Sequence, residues 1–268
     1  MWIGSRFLVS AVLLVLGACT SGPEASEPTV PSPTAPNDPS PTSTIQDVMA
    51  FEPGVPLELR TYFIDPDGDP STPLRVVYEV PAEGWSWWIG AAKFAEEGTA
   101  CSSSGCPGLP SWVGVSITTV TNLVDHGCRD HSWADPPVGP SINDLATALA
   151  DLAPFRVTSP PKDVTIFGYS GKYLELTVPD LPVEGDPGDD RRFTGCEEGK
   201  LKSWVAFIDT AEEGDAFYGY TGPGYREELW ILDVEGTRLM IAAERSPGSP
   251  PEDLDEQRAI LDSIRIEP

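Results

Sequence analysis

The densest gathering of groups able to do chemistry is Asp125, His126, Cys128, Asp130, His131 and Asp135, which includes both histidines of the chain. Imidazole, thiolate and carboxylate are zinc donors, and a catalytic zinc needs three well-spaced protein ligands beside an open position. Here the spacing is His-x4-His in a stretch that reads as loop, and Cys128 is expected to be oxidised. The segment is read as a solvated loop tied down by its disulfide, with metal-assisted hydrolysis through residues 125–135 as the rival use. A second group, Asp65, Asp67 and Asp69 with Gly68, offers three carboxylates on a tight turn, the hard oxygen ligands calcium prefers. A calcium-binding loop of the helix–loop–helix type places its glycine after the third acidic residue and a glutamate at the twelfth position, where this chain has Val76. A solvated acidic turn is the favoured reading.

Nucleophilic chemistry has less support. Gly168-Tyr169-Ser170-Gly171-Lys172 nearly spells a nucleophile elbow, but its second glycine comes one residue early and no strand-to-helix turn follows. A triad would also need His126 or His131, neither with supporting context. In a chain with 42 acidic residues, a glycosidase-type carboxylate pair has no signal of its own. Trp85, Trp87 and Trp88 could stack on a sugar or partner. The core reading is preferred: Trp85 and Trp87 pointing one way into the interior and Trp88 the other, with Trp204 and Trp230 as core strand residues. The chain carries no glycine-rich phosphate loop, dinucleotide fingerprint, basic patch or CxxC motif, so no cofactor is expected.

The elements that would position these residues begin with an address. Arg6 precedes an uncharged run over residues 7–16, too short to span about 30 Å of hydrocarbon and of the length of an export-signal core. Leu16-Gly17-Ala18-Cys19 closes it and resembles a bacterial lipobox. That resemblance implies cleavage after residue 18 and a diacylglyceryl group on the sulfur of Cys19; export without lipid is the plainer alternative. The two buried acyl chains of such a group suffice for stable membrane attachment, at roughly 0.8 kcal/mol per buried methylene. Residues 20–44 contain seven prolines and no aromatic, lysine or arginine, so they cannot bury enough apolar surface to fold. They read as a semi-stiff spacer.

Charge excludes some partners. Asp plus Glu is 42 against 17 Lys plus Arg, a formal −25. Such a balance repels phosphate backbones and anionic headgroups, so nucleic acid is not an expected partner and membrane contact would fall to the lipid. Four cysteines remain beside Cys19, and an even number outside the cytoplasm points to disulfides. Of the three connectivities, Cys101–Cys106 with Cys128–Cys196 is favoured. The second bridge would add on the order of 4 kcal/mol by restricting the unfolded chain.

From residue 46 to 268 the pattern is that of one globular domain. Strands are expected at 57–64, 74–80, 112–120, 164–167, 173–178 and 201–208, rich in β-branched and aromatic residues. The clearest hairpin joins 228–234 to 237–243 through Glu235-Gly236, and both its strands are apolar on both faces, so the sheet is expected to be covered on each side. Ser141 with Asp144 forms a capping box ahead of the stripe Ile142, Leu145, Ala146, Leu149, Leu152. Ser249 with Glu252 repeats the pattern ahead of Leu254, Gln257, Ile260, Leu261 and Ile264. The expected fold is α+β, a mostly antiparallel sheet of about eight or nine strands with two packed helices.

The runs PPVGPSINDLATALADLAP, DVTIFGYSGKYLELTVP, TGCEEGKLKSW and LWILDVEGTRLMI resemble a recurrent extracellular domain of uncharacterised actinobacterial proteins, over roughly residues 74–266. That kinship transfers no activity and no catalytic residue. The layout is also similar, at fold level, to small PsbP-like α/β sandwiches. The combined expectation is a lipid-anchored module on the outer face of the cytoplasmic membrane, acting by binding and not by catalysis. Its ligand would be an envelope polymer, a small apolar molecule or a surface protein. A surface hydrolase and a transporter's solute-binding component are the alternatives.

Overall fold

Strands are the commonest regular element of this chain, and several of them alternate apolar and polar positions. The computed structural model describes residues 45–69, 71–94, 112–129, 131–185, 192–206, 217–220 and 222–268, with Phe217 described by its backbone alone. The leader, the spacer, Cys19, Cys101, Cys106 and Asp130 lie outside the described residues. In chain order the strands are β1 (Gln46–Asp47), β2 (Thr61–Ile64), β3 (Arg75–Glu79), β4 (Trp85–Ser86), β5 (Gly90–Phe94), β6 (Trp112–Leu123), β7 (Arg156–Ile166), β8 (Tyr169–Thr177), β9 (Val183–Glu184), β10 (Arg192–Phe193), β11 (Leu201–Ala206), β12 (Phe217–Tyr220), β13 (Arg226–Val234), β14 (Thr237–Arg245) and β15 (Arg265–Glu267). Helix α1 (Ile142–Asp151) follows β6, and helix α2 (Pro251–Ser263) follows β14.

Nine strands make one sheet, running β12-β11-β6-β14-β13-β8-β7 with β5 beside β6 and β4 beside β5. One edge of the twelve-residue β6 pairs with β14, while β5 and β11 share the other edge end to end. Every pairing in this sheet is antiparallel. A second sheet, β1-β2-β3-β15, is antiparallel apart from the β1–β2 pair, and β9 and β10 form a ribbon. The fold is α+β. Residues 43–268 cluster as one compact unit.

The side-chain period of two sorts the large sheet into two buried faces. Val113, Val115, Ile117, Trp230, Leu232, Leu239 and Ile241 face the second sheet and α2, meeting Tyr62, Ile64, Val76, Tyr78, Ile260 and Leu261. The intervening residues, Leu229, Ile231, Met240 and Ala242 with Leu174 and Leu176 of β8, face α1 through Leu145, Ala146 and Leu149. This is why the central hairpin is apolar on both sides.

Helix α1 begins as its sequence predicts. Ser141 Oγ accepts from Asp144 N at 3.1 Å and the Asp144 carboxylate accepts from Ser141 N at 3.0 Å. Such a cap is worth about 1 kcal/mol. Helix α2 departs from expectation. Its N-cap is Pro250, without a side-chain cap, and Ser249 Oγ is spent on Trp112 O and Ser246 O. Pro251 at the first helical position needs no donor there, so the helix starts without help from Ser249. Gln257, the polar member of the buried stripe, donates its amide to Gly114 O at 2.6 Å and Glu244 O at 2.8 Å, pinning α2 to β6 and β14.

Two strand boundaries also differ. The strand expected at 164–167 starts at Arg156, running through Pro160 and Pro161 with register shifts on either side of Ser159. Proline is tolerated there because β7 is an edge strand, whose outward N–H groups need no ladder partner. Conversely, only Thr61–Ile64 of the stretch 57–64 is strand; Leu57 N instead donates to Trp85 O. The second sheet was folded into a single sheet in the sequence count because strands of two to five residues show too little alternation to separate.

Candidate functional site

The structure disperses the sequence's candidate ligands. His126 Nδ1 accepts from Cys128 N at 3.1 Å and Arg129 N at 3.2 Å, so one ring nitrogen holds the turn. His131 is buried, its Nε2 lies 3.2 Å from Gly127 O, and burial lowers its affinity for a proton. Cys128 is bonded to Cys196, joining this loop to the segment before β11. Among the described residues no three His, Cys, Asp or Glu side chains gather as a metal would require. Asp67 accepts from Asp69 N and Thr72 Oγ1, and Asp69 accepts from both donors of Ser71, so these carboxylates brace their own turn. Asp65 is buried, and that burial raises its affinity for a proton against the opposing charge of Arg75; the turn docks on β6 through Thr119 N to Pro66 O at 2.7 Å. Ser170 sits just past the β7–β8 turn, paired with Thr165 in a hairpin. Trp85 and Trp87 fill one core and Trp88 packs against the other; Trp204 and Trp230 are buried.

The unusual chemistry lies where the sequence drew no attention. Glu227 of β13 and Glu244 of β14 are cross-strand partners in register, on the same face as Leu229 and Ala242. They are 1% and 0% exposed. Opposite Glu244 on β6 stands Gly114, where a Cβ would fall 2.5 Å from the Trp112 ring and 3.0 Å from Glu244 Oε2. Glycine at this position makes room for the carboxyl.

An aromatic cluster encloses the pair. The Trp204 and Tyr218 rings stack at 4.4 Å, Tyr218 and Tyr220 meet edge to face at 5.4 Å, Tyr220 and Tyr225 at 5.2 Å, and Trp112 packs on Tyr225 at 5.3 Å. Tyr220 donates to Glu227 Oε2 at 2.8 Å and, having one proton, accepts from Ser203 Oγ at 2.8 Å. The hydroxyls of Tyr218 and Tyr225 bond each other at 2.9 Å. Among the described residues Glu227 Oε1, both Glu244 oxygens, Ser116 Oγ and Trp204 Nε1 have no hydrogen-bond partner of normal geometry. Trp204 is near enough to favour charge on Glu227, and Ser116 and Tyr218 act likewise on Glu244, but burial outweighs them. Desolvation pushes Glu227 up to about 7, while desolvation and then the Glu227 charge push Glu244 well above the usual carboxylate range. The three tyrosines are pushed well above 10, so all three stay neutral donors.

A groove of about 470 Å³ opens elsewhere, between α1 and residues 123–139. Its floor includes Leu123, Val124, Val138, Ala148 and Leu152, and its carboxylates are Asp125, Asp144 and Asp151. Asp144 is held in the α1 cap and faces the field of Arg238. Asp125 and Asp151 form no ion pair among the described residues. Of the sequence's candidate ligands, Asp125 is the one that lines this groove.

No family model, curated protein or solved structure matches the chain.

The site is therefore read from geometry alone. A parity signal for the buried pair was present in the sequence. Once Leu229 and Ile231 face inward, Glu227 must share that face, and Glu244 follows Met240 and Ala242 by the same count.

Proposed function

We propose that this chain is a lipid-anchored binding protein of the outer face of the cytoplasmic membrane, seating its ligand in the groove between α1 and residues 123–139. The groove carries the reading: an apolar floor bordered by two unpaired carboxylates suits a ligand with an apolar body and a cationic or donor-rich head. A surface protein presenting a lysine or arginine beside apolar residues meets that description, as does an amine-bearing envelope component. Binding is preferred to hydrolysis because each histidine commits a ring nitrogen to holding backbone. A solute-binding component of a transporter needs two lobes around a cleft, whereas residues 43–268 cluster as one unit. Among the described residues no helix is long and apolar enough to cross a membrane. The proposed anchor rests on Cys19 in Leu16-Gly17-Ala18-Cys19.

Two experiments test the parts separately. Cys19→Ala should move the expressed protein from the detergent phase to the aqueous phase on Triton X-114 partitioning; retention in the detergent phase would rule out a lipid on that sulfur. For the groove, amide chemical shifts of the soluble domain are followed on titration with octylammonium and, separately, octanoate. Octylammonium should perturb residues around Ala148 and Asp125, and Ala148→Trp should abolish the response. Equal responses to both probes, or perturbations scattered away from α1, would remove the groove from the proposal.

A further inference from the structure

Two ionised carboxylates facing each other in a protein interior need a cation, a set of donors, or protons. No lysine, arginine or histidine is among the groups acting on either Glu227 or Glu244. From β12 and the turn after it come Tyr218, Tyr220 and Tyr225; from β11, Ser203 and Trp204; from β6, Ser116 and Trp112. The α2 side chain nearest in bonding terms, Gln257, spends its amide on backbone carbonyls. One hydrogen bond of normal geometry, from Tyr220, reaches the pair.

Among the described residues three carboxyl oxygens of the pair have no donor. An ionised carboxylate only accepts, so a doubly ionised pair would strand all three. A protonated carboxyl brings its own donor and removes its own charge. In-register partners on adjacent antiparallel strands lie close enough for one carboxyl to donate to the other. We propose that Glu227 and Glu244 form a buried proton-binding site that latches the aromatic cluster of β11 and β12 onto β13 and β14, closed while the pair is protonated and loosened when it ionises. The ligand is the proton itself, released to solvent as the pH rises. The consequence is directional. Alkaline conditions would place uncompensated charge beneath Trp204, Tyr218 and Tyr220, and the cheapest relief is to let water in by parting β12 from β11. For a domain read as extracytoplasmic, that makes the aromatic end responsive to the pH outside the cell. The inference is independent of the groove.

The test uses the whole folded domain. Infrared difference spectra of wild type should show a protonated-carboxyl stretch at pH 6 that disappears in Glu227→Gln/Glu244→Gln. Hydrogen exchange, corrected for intrinsic rates, should show amides of β11, β12 and β13 losing at least tenfold protection between pH 6 and 8.5 in wild type, with no such loss in the double variant. If the double variant does not fold, the wild-type infrared band at pH 6, compared with pH 9, still decides. Absence of the band, or an equal loss of protection in the double variant, would overturn the proposal. So would calcium or another divalent ion abolishing the band while raising protection, since the pair would then be a metal site.

Discussion

Raising the pH from 5 to 8 should destabilise this protein. The buried pair is the reason. A glutamate whose folded-state affinity for the proton exceeds its unfolded value contributes stability that is complete below about pH 4.5 and is lost as the pH climbs toward the folded pKa. For Glu227 that window runs from 4.5 to about 7. At roughly 1.4 kcal/mol per pH unit, its loss amounts to about 3 kcal/mol. Glu244, raised by burial and then by the Glu227 charge, acts in the same direction. Both groups are fully enclosed, so solvent screening does not dilute the effect. Against a total stability of about 5–15 kcal/mol for a domain, this is a substantial fraction. Urea unfolding at pH 5, 6, 7 and 8, followed by tryptophan fluorescence, should give a midpoint that falls steadily over that range in wild type. Glu244→Gln should reduce the slope by about one proton, and the double glutamine variant should remove it. The buried His131, whose proton affinity is lowered, has the opposite sign: its contribution is complete above about pH 6.5 and erodes on acidification. The double variant should therefore keep a shallow decline toward acid. A wild-type midpoint that is flat or rises between pH 5 and 8 would refute the reasoning.

Three further outcomes follow from the packing. Cys196→Ser should lower stability by about 3–4 kcal/mol through the freed loop, and should expose residues 126–131 to limited proteolysis ahead of the rest of the domain. Gln257→Ala strands two buried carbonyls, Gly114 O and Glu244 O, and should cost about 2–4 kcal/mol in chemical denaturation, whereas Gln257→Glu should be worse at pH 8 than at pH 5. Ser141→Ala should cost about 1 kcal/mol and increase hydrogen exchange in the first turn of α1 without affecting α2, which has no side-chain cap to lose.

What was legible in the sequence is what local pattern controls. The hairpin at Glu235-Gly236 turns where expected, pairing Val234 with Thr237, because two-residue loops with positive φ at both positions match the strand twist. The α1 cap and stripe were equally plain, since three- and four-residue spacing survives any tertiary arrangement. Long-range terms hid the rest. The start of β7 at Arg156 depends on its edge position, which is what permits Pro160 and Pro161 in a strand. The second sheet depends on β15 returning from residue 265 to pair with residues 75–77, which no local signal announces.

The buried acids were missed for a different reason. The strands expected at 228–234 and 237–243 leave both acids outside, Glu227 one residue before the first and Glu244 one residue after the second. The structure sorts these residues by parity. Glu228 turns to the α2 side, where Arg245 reaches it at 3.1 Å, while Glu227 and Glu244 turn to the other face beneath β12. What decides their burial is Tyr218 and Tyr220, which reach the site through the pairing of β12 with β11 and of β11 with β6. The histidine-rich loop drew attention by composition and proves to be occupied with its own backbone. The glutamates, unremarkable by composition, gain their chemistry from strand register. In a sheet covered on both faces, an acidic residue two positions before an inward leucine is a stronger indication of perturbed protonation than a cluster of ligand types on a loop.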